Sequence, residues 1–253
     1  MRALLIISNL YGVDEPSAAH ASHCVNNSST YRPLIVAAAV DGGWDGITMN
    51  LEAIPSADRA VATAFYIDLA RDMHAAGKLL HVTVPATTGT AYDADFWTGW
   101  CDHYEIVKVC DAIKVMSYTE TGPGTDPGPA APDDFWALVY AYTRSVIPEF
   151  YRRRVLCGAR MFGHSWNADW SAAEYITYHE AIAYALEYGR RIDTDSTELG
   201  FGLTTGERVW CGTPLTVARA QVESADLGGV GLWKADDGDI VECFPETRQI
   251  GRG

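Results

Sequence analysis

The segment from Asp45 to Glu52 carries the strongest chemical signal in the sequence. It reads Asp-Gly-Ile-Thr-Met-Asn-Leu-Glu and alternates polar with apolar residues at the period of a β-strand. Thr48, Asn50 and Glu52 therefore share one face of the predicted strand, and Glu52 ends it. A polar face on a buried parallel strand is costly unless its groups are hydrogen-bonded or functional. The pattern alone predicts either a functional site with a carboxyl at the strand end, or a satisfied polar network in the core.

The elements that would position this strand are short apolar runs that alternate with helical patterns. This alternation predicts parallel strands joined by crossover helices, which is an α/β fold. One helix is predicted to start near Ser56 and to end at Gly77. Others are predicted to start at Ser171, whose Ser-Ala-Ala-Glu run is a capping-box pattern, and around Pro214. The six strand candidates are Ala3–Ser8, Gly46–Leu51, Leu79–Val84, Ala112–Tyr118, Val155–Arg160 and Val230–Trp233.

Two segments between these elements are unusual. The stretch Thr121–Pro132 holds four Pro and three Gly, and it follows a predicted strand. It would lie at the carboxyl end of the sheet, where α/β sites form, although a plain surface connection is the alternative. The stretch Arg191–Trp210 contains apolar residues that could form an extra hairpin. Because no linker or repeat is visible, residues 1–253 are interpreted as a single domain.

The composition bounds the classes of function. The chain has 33 acidic and 19 basic residues and a net charge of −14, which argues against a nucleic-acid partner and an anionic membrane surface. Its 253 residues, 48% hydrophobic, match the usual size of one (β/α) barrel. The eight Trp and 13 Tyr suit packing against sugar rings, although core packing uses the same residues.

The sequence carries no pattern typical of a membrane span or of a secretory leader. The apolar run Ala3–Ile7 is shorter than a signal-peptide core, so we expect no export signal. The six Cys are scattered without a CxxC pair, which disfavours a zinc site. Cys110 and Cys157 adjoin apolar runs and are predicted to be buried free thiols.

Weaker chemical candidates have plainer interpretations. The sequence has neither a GxSxG motif nor a P-loop. Two clusters have ligand-like spacing, for a metal or for calcium, but fit a polar helix face and a solvated turn better: His20 with His23 and Cys24, and Asp236 with Asp237 and Asp239.

Several of these segments, in order, resemble glycoside hydrolase family 18, the chitinase-like enzymes. Asp45–Glu52 is similar to the family's DGxDxDxE strand. The likeness is nearest to the branch of spore-cortex and cell-wall N-acetylglucosaminidases, and it runs through nearly the whole chain. The other segments that carry it are Leu4–Gly12, Arg71–Lys78, Val82–Pro85, Cys110–Tyr118, Ser145–Pro148, Gly158–Trp166 and Gly229–Trp233.

The resemblance implies a (β/α) TIM-barrel-like glycosidase that acts on N-acetylglucosamine-containing polysaccharide without a cofactor. Glu52 would be the general acid and then the base, and Asn50 would orient the substrate's acetamido group, whose oxygen attacks the anomeric carbon. Tyr118 would be the third catalytic residue. The residues expected to bind substrate are Trp233, as the floor of the sugar site, with Met116, Thr48, Arg160 and Glu120.

The chain departs from the family pattern at several of these positions. The family has Asp where Thr48 and Asn50 stand, although the related family 85 endo-β-N-acetylglucosaminidases carry Asn-x-Glu. Thr119 stands where relatives carry Asp or Glu, with Glu120 one place late. Arg160 replaces a usual Pro. These departures favour, as the alternative, a non-catalytic sugar-binding or structural module of the phage-tail type on the same fold.

The resemblance also predicts that the first two βα units of the family barrel are missing. Three interpretations stay open: a smaller or open barrel, closure by another chain or copy, or completion by other segments. No nucleic-acid or membrane partner and no metal are expected. Without an export signal, a phage-type lysin, a virion-borne wall hydrolase or an enzyme exported by another route would fit.

Overall fold

The computed structural model describes residues 2–11, 15–89, 98–188 and 197–233. The chain divides into two compact units, and each is described by itself. Unit 1 comprises Met1–Met116, Leu138–Leu156 and Asp226–Gly228. Unit 2 comprises Ser117–Ala137, Cys157–Ala225 and Gly229–Gly253.

The elements alternate between strands and helices along most of the chain. The strands are β1 (Leu4–Ser8), β2 (Leu10–Tyr11), β3 (Glu15–Pro16), β4 (Gly46–Asn50), β5 (Leu79–Pro85), β6 (Ala112–Met116), β7 (Val155–Arg160), β8 (Phe162–Trp166), β9 (Ala173–Thr177), β10 (Leu199–Gly202), β11 (Arg208–Cys211) and β12 (Gly229–Trp233). The helices are α1 (Ala18–Asn26), α2 (Ser28–Asp41), α3 (Arg59–Ala75), α4 (His103–Val109), α5 (Asp133–Val146), α6 (Glu149–Arg152), α7 (Tyr178–Glu187) and α8 (Pro214–Glu223), and a 3₁₀ turn (Ser56–Asp58) precedes α3.

The larger sheet has six strands in the order β1-β4-β5-β6-β7-β12. The pairs β1/β4, β4/β5 and β5/β6 are parallel, with helices in the connections that follow β1, β4 and β5. All six predicted strands are present with ends shifted by no more than two residues. The α/β class predicted from alternation is confirmed.

Unit 1 buries the apolar face of its parallel strands under helices. Ile47 and Met49 of β4 and Val82 of β5 are fully buried, as are Phe65 and Leu69 of α3. Gly77 lies just beyond α3 with φ +68°, the left-handed conformation that its predicted role as helix terminator requires. Phe65 and Leu69 are one turn apart and therefore share the buried face of α3.

Unit 2 contains a separate antiparallel sheet in the order β10-β11-β8-β9. The predicted extra hairpin is confirmed as β10 and β11, paired from Leu199↔Cys211 to Gly202↔Arg208. Helix α7 covers this sheet through Ala181 and Ala185, which share a buried cluster with Ile176 and Val209.

The predicted helix start at Ser171 is wrong. Residues Ala173–Thr177 form strand β9, which pairs with β8, and the capping box is made by Thr177 and Glu180 at the start of α7. Tyr175 and Ile176 favour the strand because aromatic and β-branched side chains pack well on a pleated sheet. The ring of Tyr175 stacks on Phe162 of β8 at 5.0 Å between centroids.

Candidate active site

The predicted polar face of β4 is present and buried in unit 1. Thr48 and Asn50 point to the same side of the strand, and the Asn50 side chain is only 4% exposed. The register sets Thr48 beside Ile6 of β1 and His81 of β5, and Asn50 beside Ser8. Glu52 lies two residues beyond the strand and is half-buried. The structure thus brings the three predicted residues of this segment to one end of one strand.

The Glu52 carboxyl is joined directly to Asn50. Asn50 Nδ2 donates to Glu52 Oε1 at 2.8 Å. Because an amide has separate donor and acceptor ends, this contact leaves the Asn50 side-chain oxygen as the end suited to accept an N–H from a ligand.

The Glu52 backbone is held by the residue that directly follows the neighbouring strand β1. Asn9, which follows β1, accepts from Glu52 N and donates to Glu52 O, both at 2.9 Å. The next residue, Ala53, has φ 55°, a left-handed conformation that residues with a side chain seldom adopt. Asn9 has no role that could be predicted from the sequence, because its contact with Glu52 joins residues 43 positions apart.

Two basic side chains lie on the same face of the parallel sheet. His81 is opposite Thr48, and Lys114 is opposite Thr83, the next residue of β5 on that face. Burial lowers the pKa of Lys114; burial also lowers the pKa of His81, with the Lys114 charge adding to the effect. Neither residue was predicted from the sequence, although the alternation of side chains along each strand would have placed both on this face. His81 and Lys114 lie on the same face as Thr48 and Asn50, the two positions at which the family 18 motif has Asp.

The segment after β6 carries three further predicted residues. Met116 ends β6 and is half-buried, and Tyr118 is also half-buried. Ser117, between them, is buried; its hydroxyl donates to Gly158 O at 2.8 Å, and its carbonyl accepts from Trp136 Nε1 at 2.6 Å. Thr119 has φ 74°, and Glu120 is exposed.

The predicted loop Thr121–Pro132 is anchored within unit 2 by a buried carboxylate. Glu198, with none of its surface exposed, accepts from Ala130 N at 3.0 Å and Ala131 N at 2.9 Å. Trp166 Nε1 donates to Thr125 O at 3.1 Å. No sequence signal pointed to Glu198, because its partners lie 67 and 68 residues away.

The remaining predicted binding residues also lie in unit 2. Arg160, the last residue of β7, is buried, and its guanidinium carbon lies 4.7 Å from the centre of the Phe162 ring. Buried His164 lies beyond Phe162; burial, with Arg160 adding to it, lowers the His164 pKa to about 3. Trp233 ends β12 and is half-buried.

Several of the other candidate residues lie in the core. Trp100, Trp136 and Trp166 are buried packing residues, and the side chains of Cys110 and Cys157 are buried as predicted. Among the described residues, no three His, Cys, Asp or Glu side chains are grouped so as to hold a metal ion. The acidic cluster Asp236–Asp239 and Trp97 lie outside the described residues. In the described part of the chain, no helix is both long and apolar enough to cross a membrane.

The chain was compared with protein-family models and with known protein structures. No protein-family model matches the chain. Its fold matches a crystal structure of a chitinase from Chromobacterium violaceum with a TM-score of 0.85 and 26% identity, covering 98% of this chain and 79% of that one. The chain is chitinase-like. The predicted likeness to glycoside hydrolase family 18 and the predicted (β/α) barrel-like fold are thereby confirmed.

Further relatives place the chitinase-like chain near the spore-cortex branch. YdhD of Bacillus subtilis, named a sporulation-specific glycosylase, is 28% identical over 173 residues, which are 66% of this chain and 40% of YdhD. The spore cortex-lytic enzyme SleL of Bacillus megaterium matches in fold with a TM-score of 0.80 at 18% identity, covering 97% of this chain and 58% of that one. The chain thus spans less than half the length of YdhD, and of YvbX, an uncharacterised B. subtilis glycosylase that is 22% identical over 64% of this chain.

Proposed function

We propose that the chitinase-like chain is a glycosidase that cleaves β-1,4 linkages at N-acetylglucosamine in peptidoglycan or a chitin-like glycan. The observation that carries the proposal is the pair formed by Asn50 and Glu52, a carboxyl joined at 2.8 Å to an amide at the end of a buried parallel strand. Sites of (β/α) barrel enzymes form at the carboxyl ends of strands. The glycosylases and chitinases among the relatives support the same reaction class.

The proposed reaction uses one protein carboxyl because the substrate supplies the nucleophile. Glu52 gives its proton to the glycosidic oxygen while the acetamido oxygen attacks the anomeric carbon, which breaks the glycosidic bond and forms an oxazolinium. The Glu52 carboxylate then takes a proton from water as that water opens the oxazolinium. Two inversions at the anomeric carbon leave its configuration retained.

Asn50 has a double role in this scheme. Its amide nitrogen donates to Glu52, and its oxygen is proposed to accept the acetamido N–H of the substrate. This hydrogen bond would turn the acetamido oxygen toward the anomeric carbon. An Asn oxygen supplies no formal charge, so we expect the intermediate to be stabilised less than by the family's Asp. By the family resemblance, Tyr118 is the third catalytic residue. The same resemblance proposes Trp233 as the sugar platform and Met116, Thr48, Arg160 and Glu120 as further substrate contacts.

A test with natural glycans decides whether the chain hydrolyses them. Purified peptidoglycan and chitooligosaccharides are incubated with the protein, and the new reducing ends are reduced with borohydride and identified by mass spectrometry. We expect new N-acetylglucosamine ends on at least one substrate. A de-N-acetylated copy of that substrate serves as the matched control and should not be cleaved. Equal cleavage of both would contradict the substrate-assisted route.

A non-catalytic sugar-binding or structural module is the second candidate. Two basic residues, His81 and Lys114, lie on a face without carboxylates at positions 48 and 50, which favours this module. Glu52 favours the enzyme, because a binding module needs no proton donor. Glycan binding by calorimetry without any new reducing end would establish the module.

The outer edge of β1 motivates a proposal about partners. Ile6 is 47% exposed, whereas β4 is buried throughout, and in the described part of the chain β1 pairs with β4 alone. Unpaired strand edges favour association. We propose that a second copy or a partner chain covers this edge. Sedimentation with hydrogen exchange tests it: a monomer with Leu4–Ile7 protected from exchange would contradict the proposal.

A further inference from the structure

The side chain of Asn9 contacts the Glu52 backbone at both of its hydrogen-bonding groups. Asn9 Oδ1 accepts the Glu52 N–H at 2.9 Å, and Asn9 Nδ2 donates to the Glu52 carbonyl at 2.9 Å. The Asn9 side chain is 7% exposed, and Nδ2 also donates to Ser17 O at 2.9 Å. One buried amide therefore fixes both polar groups of the Glu52 main chain.

The two hydrogen bonds from Asn9 take the place of backbone pairing beyond the end of the β1/β4 ladder. The parallel pairing of β1 with β4 ends at Ser8↔Asn50, so the ladder of backbone bonds does not reach Glu52. An amide side chain offers the same donor and acceptor as a peptide group, and Asn9 thereby continues the backbone pairing as far as Glu52. Without it, Glu52 would lose two hydrogen bonds directly before the left-handed conformation of Ala53.

Asn9 is itself held in place by hydrogen bonds to Ser17. Ser17 N donates to Asn9 O at 3.0 Å, so Asn9 and Ser17 exchange two bonds. The Ser17 hydroxyl caps helix α1 by accepting from His20 N at 3.3 Å. Asn9 is thus hydrogen-bonded to the N-cap residue of helix α1, which limits how far Asn9 and the Glu52 backbone can move.

We propose that Asn9 is a positioning residue that sets the direction in which the Glu52 side chain projects from the backbone. The inference rests on the proposed function of Glu52 as the general acid and base. Asn50 holds the carboxyl oxygen and Asn9 holds the main chain, so the two amides together fix the proton donor from both ends. A proton donor must lie within hydrogen-bond reach of the leaving oxygen, and a misplacement of about 1 Å costs roughly 100-fold in rate.

The test replaces Asn9 and reads both geometry and turnover. In Asn9→Ala, hydrogen exchange at the Glu52 amide should speed up at least about 10-fold, because its acceptor is gone. The kcat should fall roughly 10- to 100-fold with KM changed less than about twofold, since the substrate contacts are kept. Asn9→Asp keeps the acceptor for Glu52 N and should lie between Asn9→Ala and the unaltered chain. Its added negative charge should move the alkaline limb of the pH profile upward.

Ser17→Ala is the matched control, since it removes the helix cap but leaves the backbone groups that Asn9 contacts. It should lower stability while leaving kcat and Glu52 exchange unchanged. Unchanged Glu52 exchange in a folded Asn9→Ala chain, or an unchanged kcat, would overturn the inference. If the unaltered chain cleaves no glycan, the proposed function fails, and Glu52 exchange still decides whether Asn9 holds the Glu52 backbone.

Discussion

Two glutamates of this chain show opposite uses of the same side chain. Glu52 is half-buried, and one of its carboxyl oxygens accepts from the side chain of Asn50. Glu198 is fully buried, and each of its oxygens accepts a backbone N–H from the loop Thr121–Pro132. A fully buried carboxylate that accepts main-chain N–H groups from two successive residues braces a loop, whereas a half-buried one at a strand end can still meet a substrate. Burial and partners therefore separate the proposed catalytic carboxyl from the structural one.

The largest expected effect is that of Glu52→Gln. The substitution keeps the shape of the side chain and removes the proton donor, so hydrolysis should fall about 100- to 10,000-fold. Circular dichroism and sugar binding should match those of the unaltered chain, because the backbone contacts with Asn9 remain. Full activity of folded Glu52→Gln on natural glycan would show that Glu52 is not the acid.

Asn50 should follow, with a smaller loss. Asn50→Ala removes both the bond to Glu52 and the proposed acceptor for the acetamido N–H, and kcat should fall roughly 10- to 100-fold. Asn50→Asp restores an acceptor and adds charge, so it should be tolerated or should increase turnover. Steady-state kinetics on N-acetylated oligosaccharides measure both variants. Unchanged turnover in Asn50→Ala would indicate a different mechanism.

Glu198→Gln should act on stability. Gln has one acceptor oxygen where Glu198 has two, so one of the two loop N–H groups meets an NH₂ group and loses its acceptor. This loss should cost about 1 to 3 kcal/mol of unfolding free energy. Urea unfolding at pH 7 measures this cost. Exposed Glu174→Gln, on β9 of the same unit, is the control and should change little. Equal stability of the two variants would remove the contrast between a bracing glutamate and a surface one.

At pH 7 the smallest effect is expected from the protonation of His164, which lowers stability only as the pH falls. Its folded pKa of about 3 lies below the unfolded value of 6.5, so the unfolded chain binds the proton more readily. The His164 contribution is complete above about pH 6.5 and is lost toward pH 3, by up to about 1.4 kcal/mol per pH unit. His164→Phe removes the titrating group. Parallel pH dependence of unfolding in the two chains between pH 7 and 4 would contradict this.

The sequence predicted features whose causes are local or periodic. Apolar runs identified all six strands of the parallel sheet, and alternation along Asp45–Glu52 put Thr48, Asn50 and Glu52 on one face. The start of α7 was misplaced because Ser171–Glu174 and Thr177–Glu180 carry the same capping pattern, and pairing with β8 selected the second. Asn9 and Glu198 could not be identified in their roles, since each acts on a backbone more than 40 residues away.

The measurement that tests the central claim most directly is the anomeric configuration of the first product. Proton NMR during hydrolysis of a chitooligosaccharide distinguishes the α from the β reducing end before mutarotation mixes them. Catalysis by Glu52 with the substrate's acetamido group as nucleophile predicts that the β end appears first, and that Glu52→Gln forms neither anomer at a comparable rate. An α product, or an equal rate from Glu52→Gln, would contradict the proposed mechanism.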